Sequence, residues 1–284
     1  MIQQDNLYAV VVWYNPTEEQ AHSLLSYLWA VRHIIIVDNS QKNNNSLLSD
    51  IPKENYTYIP LGDNLGIATA LNRGCRTAID AGAEWILTMD QDSVWDKEQL
   101  LYYIDTANKY PNIKRVGLFS PRQDYTGHTR HYPADYEEKI AVMTSGCLLS
   151  AEGFRATNGF RDEFFIDEVD NEYCMHIHRL GMQVVIVNDA LLVHQLGEKR
   201  MVRFMGLWRK EYIDHAPFRY YYIVRNNLQL SKLYPEYKTF NKKRLIKTIK
   251  RIVLYDRIHK CESLRMCLRG WRDFRNGVFG RLDL

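Results

Sequence analysis

The chain has 284 residues, 46% of them hydrophobic, enough apolar material for one large α/β domain with an appendage and too much for a disordered chain. The formal net charge of +3 conceals an asymmetry: residues 1–197 carry 15 Lys+Arg against 26 Asp+Glu, and residues 198–284 carry 22 against 8, so the basic segment is expected to face something anionic. There is no run of 18 uncharged apolar residues, residues 1–6 are polar, and five cysteines form no C-x-x-C pair, which argues against a membrane span, a signal peptide, a zinc frame and a disulfide frame and predicts a cytoplasmic protein.

Leu7 to Trp13 is a continuous β-branched run, as expected of a strand buried on both faces. Asn15 as cap, Pro16 at the first position and Glu18 and Glu19 in the first turn predict a helix from Thr17 to Val31. His33 to Val37 reads as a second strand, tipped by Asp38-Asn39-Ser40. Repeated strand–helix–strand units start a doubly wound sheet, whose ligands bind at the carboxyl ends of the strands. Neither G-x-G-x-x-G nor G-x-x-x-x-G-K-[ST] follows the first strand, which disfavours a dinucleotide or P-loop fold.

Tyr56 to Leu61 is a third strand, and after Gly62-Asp63-Asn64-Leu65-Gly66 the residues Ile67, Ala70, Leu71, Gly74, Cys75, Ala78 and Ile79 fall on one helical stripe. Gly74 on that stripe predicts close backbone packing. Asn64 and Gly66 at the helix entrance can offer donors and a positive dipole end to a ligand. Trp85-Ile86-Leu87 then runs into Thr88-Met89-Asp90-Gln91-Asp92-Ser93. Carboxylates at i and i+2 of a strand end point to one side, so Asp90 and Asp92 can share one hard cation, Mg2+ or Mn2+, which keeps positions open for a diphosphate.

Asp96 to Lys109 predicts a helix, Val116 to Ser120 a strand, and Arg122 to Asp135 a polar loop. Thr144-Ser145-Gly146 interrupts an apolar stretch with small residues that let an acceptor approach the backbone, although core packing explains it equally well. The acidic segment holds Asp162, Glu163, Asp167, Glu168, Asp170 and Glu172 among Phe164, Phe165, Ile166 and Val169. Carboxylates set against aromatic groups can act as general bases. Its helix is expected to stop at Gly181. Gln183 to Val187 reads as a strand, followed by Leu191-Leu192-Val193-His194-Gln195-Leu196-Gly197.

In the order and spacing of Val12-Trp13-Tyr14-Asn15-Pro16, Val37-Asp38-Asn39-Ser40, Asp63-Asn64-Leu65-Gly66, Met89-Asp90-Gln91-Asp92-Ser93, Thr144-Ser145-Gly146, Phe164-Phe165-Ile166-Asp167, His194-Gln195-Leu196-Gly197 and Tyr221-Tyr222-Ile223-Val224-Arg225-Asn226, the chain resembles glycosyltransferase family 2, the inverting GT-A group, in its bacterial rhamnosyltransferase-like branch. The resemblance covers roughly four fifths of the chain. It implies a mixed α/β sheet flanked by helices, with residues 1–200 as the catalytic domain (1–95 the nucleotide-sugar half, 96–200 the acceptor half) and 201–284 as a basic helical extension. It further implies that Tyr14, Asn15, Asp38, Asn64, Gly66, Arg73 and Asp90 line a nucleotide-sugar, that Asp92, Asp90 and His194 hold the metal, and that Asp170 is the base, with Asp167 and Glu172 as alternates. Thr144, Ser145, Gly146 and Arg225 would face the acceptor. The implied reaction is metal-dependent transfer of L-rhamnose from dTDP-rhamnose to a polyprenyl-diphosphate-linked glycan in cell-surface polysaccharide synthesis. A UDP- or GDP-sugar donor, a nucleotidyltransferase and a non-catalytic glycan-binding protein are the competitors.

From Lys242 onward Leu245, Ile249, Ile252 and Val253 form one stripe among Lys243, Arg244, Lys247, Lys250 and Arg251. Such a helix either lies on an anionic membrane surface or packs its stripe against the protein and leaves its charges in water. Trp208, Trp271, Phe274 and Phe279 favour peripheral contact with the cytoplasmic face of the inner membrane. A homodimer through this region is the other partner reading, and nucleic acid is disfavoured because no binding fold accompanies the charge.

Overall fold

The computed structural model describes residues 1–124, 132–194, 199–204, 208–213, 215–256 and 258–283, with backbone alone for residues 124 and 194 and for the two strands after residue 194. The chain divides into two compact units, one of residues 1–162 and 170–195, the other of residues 163–169 and 196–284.

In the first unit the strands are β1 (Leu7–Trp13), β2 (His33–Asp38), β3 (Tyr56–Pro60), β4 (Trp85–Asp90), β5 (Ser93–Val94), β6 (Val116–Asp124), β7 (Tyr136–Glu138), β8 (Cys147–Ser150) and β9 (Gln183–His194). They form one sheet in the order β3-β2-β1-β4-β8-β6-β9-β5, with β7 also on β9. Pairing is parallel from β3 to β4 and antiparallel where β8 joins β4 and β6, so the sheet is mixed. Successive side chains alternate between faces. Ala9, Val11 and Trp13 share a core with Leu24 and Tyr27 and with Leu100 and Tyr103 of α4 (Lys97–Asn108). Val10 instead meets α3 (Ile67–Asp80): a Cβ on Gly74 would lie 2.4 Å from Val10 Cγ1. That contact is the physical reason for a glycine on the stripe.

The helix expected from Thr17 to Val31 is instead two short pieces, α1 (Glu18–His22) and α2 (Leu25–Leu28). Ser23 and Ser26 turn their hydroxyls back onto the carbonyls of Gln20 and Ser23 at 2.8 and 2.7 Å, and the amides of Leu24, Ser26 and Tyr27 bond three residues back. Side-chain bonds of this kind compete with the α-helical ladder. The cap is Thr17, in a capping box with Gln20, whereas Asn15 sits in the left-handed region at φ 48°. β9 also runs unbroken through the expected stop at Val187, because a register shift against β6 at Pro121/Arg122 absorbs the extra residues. Arg122 and Gln123 thereby become strand; residues 125–131 of the expected loop lie outside the described residues.

The second unit contains an antiparallel pair, β10 (Lys199–Phe204) and β11 (Trp208–Ile213), and three helices, α7 (Pro217–Leu233), α8 (Lys238–Tyr255) and α9 (Lys260–Asn276). Leu245, Ile249 and Ile252 of the predicted stripe pack with Tyr220, Ile223 and Val224 of α7 and Cys267 of α9. Burial contributes about 2 kcal/mol for a fully enclosed Ile252, so Ile252 belongs to the protein interior, Leu245 and Ile249 are half-buried, and Val253 stays exposed. A Cβ on Gly270 would meet Tyr221 O at 2.4 Å, which shows α9 lying backbone to backbone on α7. Among the described residues no helix is long and apolar enough to cross a membrane.

Candidate active site

β1 and β4 are neighbours in parallel register, with Val12 opposite Asp90, at the point where the strand order reverses. Tyr14 and the Asp90–Asp92 segment therefore leave the sheet side by side, where doubly wound sheets bind ligands. Gln91 joins them. Its Oε1 accepts from Tyr14 N at 2.7 Å, and its Nε2 donates to Tyr14 O at 3.3 Å and to Gln20 Oε1 at 3.1 Å. With the middle residue turned back to Tyr14, Asp90 and Asp92 stand on either side of it, both half-buried. Sequence reasoning passed over Gln91; the signal was an amide between two carboxylates.

Ser145 fixes the same segment from below. Its Oγ accepts from Asp90 N at 3.1 Å and lies 2.8 Å from Ser93 Oγ. Thr88 Oγ1 donates to Thr144 O at 2.6 Å, and Gly146 N donates to Thr88 O at 2.7 Å. Gly146 has φ +77°, and a Cβ there would sit 2.7 Å from Leu192 Cδ2, so only glycine fits. The expected acceptor-side segment is thus a turn stapled to the end of β4, with Ser145 and Gly146 buried and Thr144 half-buried.

Two carboxylates of hard oxygen donors suit Mg2+ or Mn2+ with open positions for a diphosphate, so Asp90 and Asp92 fit such an ion. Among the described residues no group of three or more His, Cys, Asp or Glu gathers as a metal cluster. The backbone of His194 pairs opposite Ser93, and its side chain lies outside the described residues, as do Gln195 to Gly197.

At the end of β2, Asp38 is fully enclosed. Its oxygens accept from Ser40 N at 3.1 Å, Asn44 N at 3.2 Å, Asn44 Nδ2 at 2.8 Å and Tyr58 OH at 2.5 Å. Four donors fill most of a carboxylate's acceptor capacity, so Asp38 shapes the 40–44 turn at the end of β2. Burial, and then the Asp38 carboxylate, push the Tyr58 hydroxyl above its usual range. Asn39, at the tip of β2, donates to Asn64 Oδ1 at 3.0 Å and accepts from Leu65 N at 2.7 Å, while Gly66 N donates to Asn64 Oδ1 at 3.1 Å. The Gly66 amide at the entrance of α3 is therefore held by the Asn64 side chain. Asn15 N donates to Ser40 Oγ at 2.7 Å, and Arg73 is exposed on α3.

The acidic segment enters α6 (Val169–Arg179) through three non-glycine residues in the left-handed region, Phe165, Asp167 and Glu168, with φ of 63°, 60° and 65°. Such conformations persist where surrounding contacts over-determine them. Here Arg219 grips Asp167 at 2.6 and 3.2 Å, Arg244 pairs with Glu168 at 3.1 Å, and Asn226 Nδ2 reaches the carbonyls of Phe164, Ile166 and Asp167, each at 2.9 Å. Arg225 is 0% exposed; it donates to Gly280 O at 2.8 Å and to Glu163 O at 3.2 Å. An arginine so enclosed is a strut, which corrects the expectation that it faces an acceptor.

Of the three carboxylates considered as base, Glu172 is 1% exposed and paired with Arg161 at 3.1 Å, and Asp167 is gripped by Arg219. Asp170 is half-buried in the first turn of α6, where the helix dipole favours a carboxylate, and it accepts from Asn171 N at 2.8 Å. Burial first, and then the charges of Asp170 and Asp90 among its neighbours, hold the thiol of Cys147, in β8, well above its usual range. Asp90 and Asp170 thus act on one buried atom of the first unit.

Residues 14–157 match Glycosyl transferase family 2. The chain is 34% identical over 78% of its length, and 78% of the relative's, to the dTDP-rhamnosyl transferase RfbF of Shigella flexneri. It is 22% identical over 67% of its length, and 76% of the relative's, to the N-acetylglucosaminyl-diphospho-decaprenol L-rhamnosyltransferase of Mycobacterium tuberculosis (strain ATCC 25618 / H37Rv). Its fold is similar to the crystal structure of S. aureus TarS 1-349 in complex with UDP-GlcNAc, with a TM-score of 0.56 at 13% identity over 98% of this chain and 94% of that one. With the GT-A-type mixed sheet and its strand-end carboxylates in place, the chain belongs to glycosyltransferase family 2 and is a glycosyltransferase of rhamnosyltransferase-like type.

Proposed function

We propose that this glycosyltransferase moves L-rhamnose from dTDP-rhamnose to a hydroxyl of a polyprenyl-diphosphate-linked glycan, with inversion, in cell-surface polysaccharide synthesis. The observation that carries the chemistry is the Asp90–Asp92 pair at the carboxyl end of β4, beside Tyr14 at the point where the strand order reverses. Asp170, in the first turn of α6, is the base that this reading assigns. The rhamnose donor is supported by the two relatives, whose names specify rhamnosyl transfer, and the lipid-linked acceptor by the decaprenol relative.

In this reading Asp170 accepts the proton of the acceptor hydroxyl as its oxygen bonds to the anomeric carbon, while the bond from that carbon to the diphosphate oxygen breaks. Asp90 and Asp92 would hold Mg2+ or Mn2+, with His194 as a further ligand; the ion supplies neutralisation of the departing diphosphate. Gln91 and Ser145 keep the two carboxylates oriented, and Tyr14, Asn15, Asn64, Gly66 and Arg73 border the nucleotide. Thr144 is the acceptor-side residue of its turn.

The test is calorimetric titration of dTDP-rhamnose, dTDP, UDP and GDP, each with manganese and with chelator. Metal-dependent preference for the dTDP ligands is expected, with loss of the metal dependence in Asp92→Ala. Preference for UDP or GDP would keep the transferase and overturn the rhamnose donor.

A further inference from the structure

The α7–α9 bundle leaves part of its apolar surface open. Leu228 of α7, Leu245 and Ile249 of α8, and Leu264, Leu268 and Trp271 of α9 line a groove of about 410 Å³. Leu268 is 65% exposed and Trp271 46% exposed. Continuous apolar lining that reaches solvent marks a binding surface more often than a packing defect.

What surrounds the groove narrows the occupant. Residues 238–276 carry 13 Lys+Arg against 3 Asp+Glu. Side chains three, four and seven residues apart share a helix face. Lys238 and Lys242 therefore continue the Leu245/Ile249 face of α8 towards its start, and Lys260 and Arg275 bracket Leu264, Leu268 and Trp271 on α9. The Arg275 guanidinium lies 5.2 Å from the Trp271 ring centroid, so an indole and a cation stand together at the groove's edge. A second copy of this face would bring two strongly positive surfaces together. A neutral apolar peptide would leave the cations without partners. A hydrocarbon chain attached to a phosphate satisfies both parts: the chain fills the apolar floor and the phosphate meets the basic rim. Long basic side chains reach headgroups while their stems cover apolar surface, and tryptophan favours the boundary between the two.

We propose that the α7–α9 groove seats a hydrocarbon chain of an anionic phospholipid in a bilayer, with headgroup phosphates held by Lys238, Lys242, Lys260 and Arg275. The surface is a membrane anchor distinct from the sugar-transfer residues. It needs neither donor nor metal.

The full-length chain is sedimented with vesicles of phosphatidylcholine containing phosphatidylglycerol, and with phosphatidylcholine alone, and tryptophan quenching by lipids brominated along the chain is read in parallel. Sedimentation with the anionic vesicles only is expected, with quenching that falls in Trp271→Phe. Each of the four cations changed to Gln should weaken binding about fivefold. Leu268→Glu should weaken it at least about tenfold, with dTDP-rhamnose titration unchanged from the parent chain. Leu268 is exposed, so its variant keeps the bundle core. Equal sedimentation with neutral vesicles, absence of sedimentation, or full anionic binding by Leu268→Glu would overturn the proposal. Self-association without vesicles that is abolished by Leu268→Glu would likewise overturn it, in favour of a second copy as occupant.

Discussion

Arg225 Nε donates to Asn226 Oδ1 at 3.0 Å, and this bond between neighbours in α7 fixes which end of the amide faces the acidic segment. The Nδ2 end is committed to the carbonyls of Phe164, Ile166 and Asp167. Three acceptors on one amide, in a segment with three left-handed non-glycine residues, make Asn226 the centre of that turn.

The first prediction uses this geometry. Asn226→Ala takes a donor from three carbonyls, of which Phe164 O keeps Ile166 N and Arg225 Nη2, and should lower stability by about 2 kcal/mol. Asn226→Asp is nearly isosteric but sets a carboxylate oxygen against the carbonyls and should cost more. Urea denaturation of the two variants checks the order. If the Asp variant were as stable as the parent, the clamp would have no energetic weight.

A second prediction separates the acidic residues. Asp170→Asn should leave donor binding unchanged and reduce transfer roughly 10²- to 10⁴-fold, the usual scale of a general base. Glu172→Gln neutralises a buried carboxylate paired with Arg161 and should act on stability instead, because removing one charge of such a pair costs more than the pair itself contributes. Turnover and thermal unfolding measured on both variants give the comparison. Normal turnover in Asp170→Asn would move the base elsewhere.

Why the chain reads well in some places and poorly in others follows from what each feature depends on. β1, β2 and β4 were legible because strands buried on both faces are continuous apolar runs, and Asp90–Asp92 because two carboxylates stand where such a run ends. Gly74 was legible as a close contact because a helical stripe rarely spares a position without reason. The enclosure of Asp38 and Arg225 was not legible. Each is surrounded by partners distant in sequence, Tyr58 for the first and Glu163 and Gly280 for the second, and a charged residue in a family motif looks the same on paper whether it meets substrate or supports the loop that does. The break in the Thr17–Val31 helix was hidden for another reason: Ser23 and Ser26 have unremarkable helix propensity, and their competing bonds appear only once the rotamers are set.

Gln91 supports a third prediction. It is the residue of the Asp90–Asp92 segment that bonds back to β1, so Gln91→Leu should leave both carboxylates present and loosely held. Metal-dependent donor affinity should fall about tenfold, the scale of one or two lost hydrogen bonds. Titration with manganese and with chelator reads the effect directly; unchanged affinity in manganese would mean that the bond to Tyr14 does not orient the site.

The last prediction concerns pH. His215 lies before α7 with its ring edge-on to Tyr220, the centroids 5.9 Å apart. Burial first, then the charges of Arg219 and Arg251, lower its pKa from 6.5 to about 3. The folded protein therefore keeps this imidazole neutral at pH values where the unfolded chain binds a proton. Its contribution to stability is complete above the unfolded value of 6.5 and is lost progressively as pH falls from there towards about 3. His215→Gln removes the titration while keeping a polar side chain of similar reach. Between about pH 7 and about pH 4 the parent's urea midpoint should fall more steeply than the variant's. Parallel slopes would show that the imidazole is protonated in the folded state and that the two arginines leave its titration unchanged.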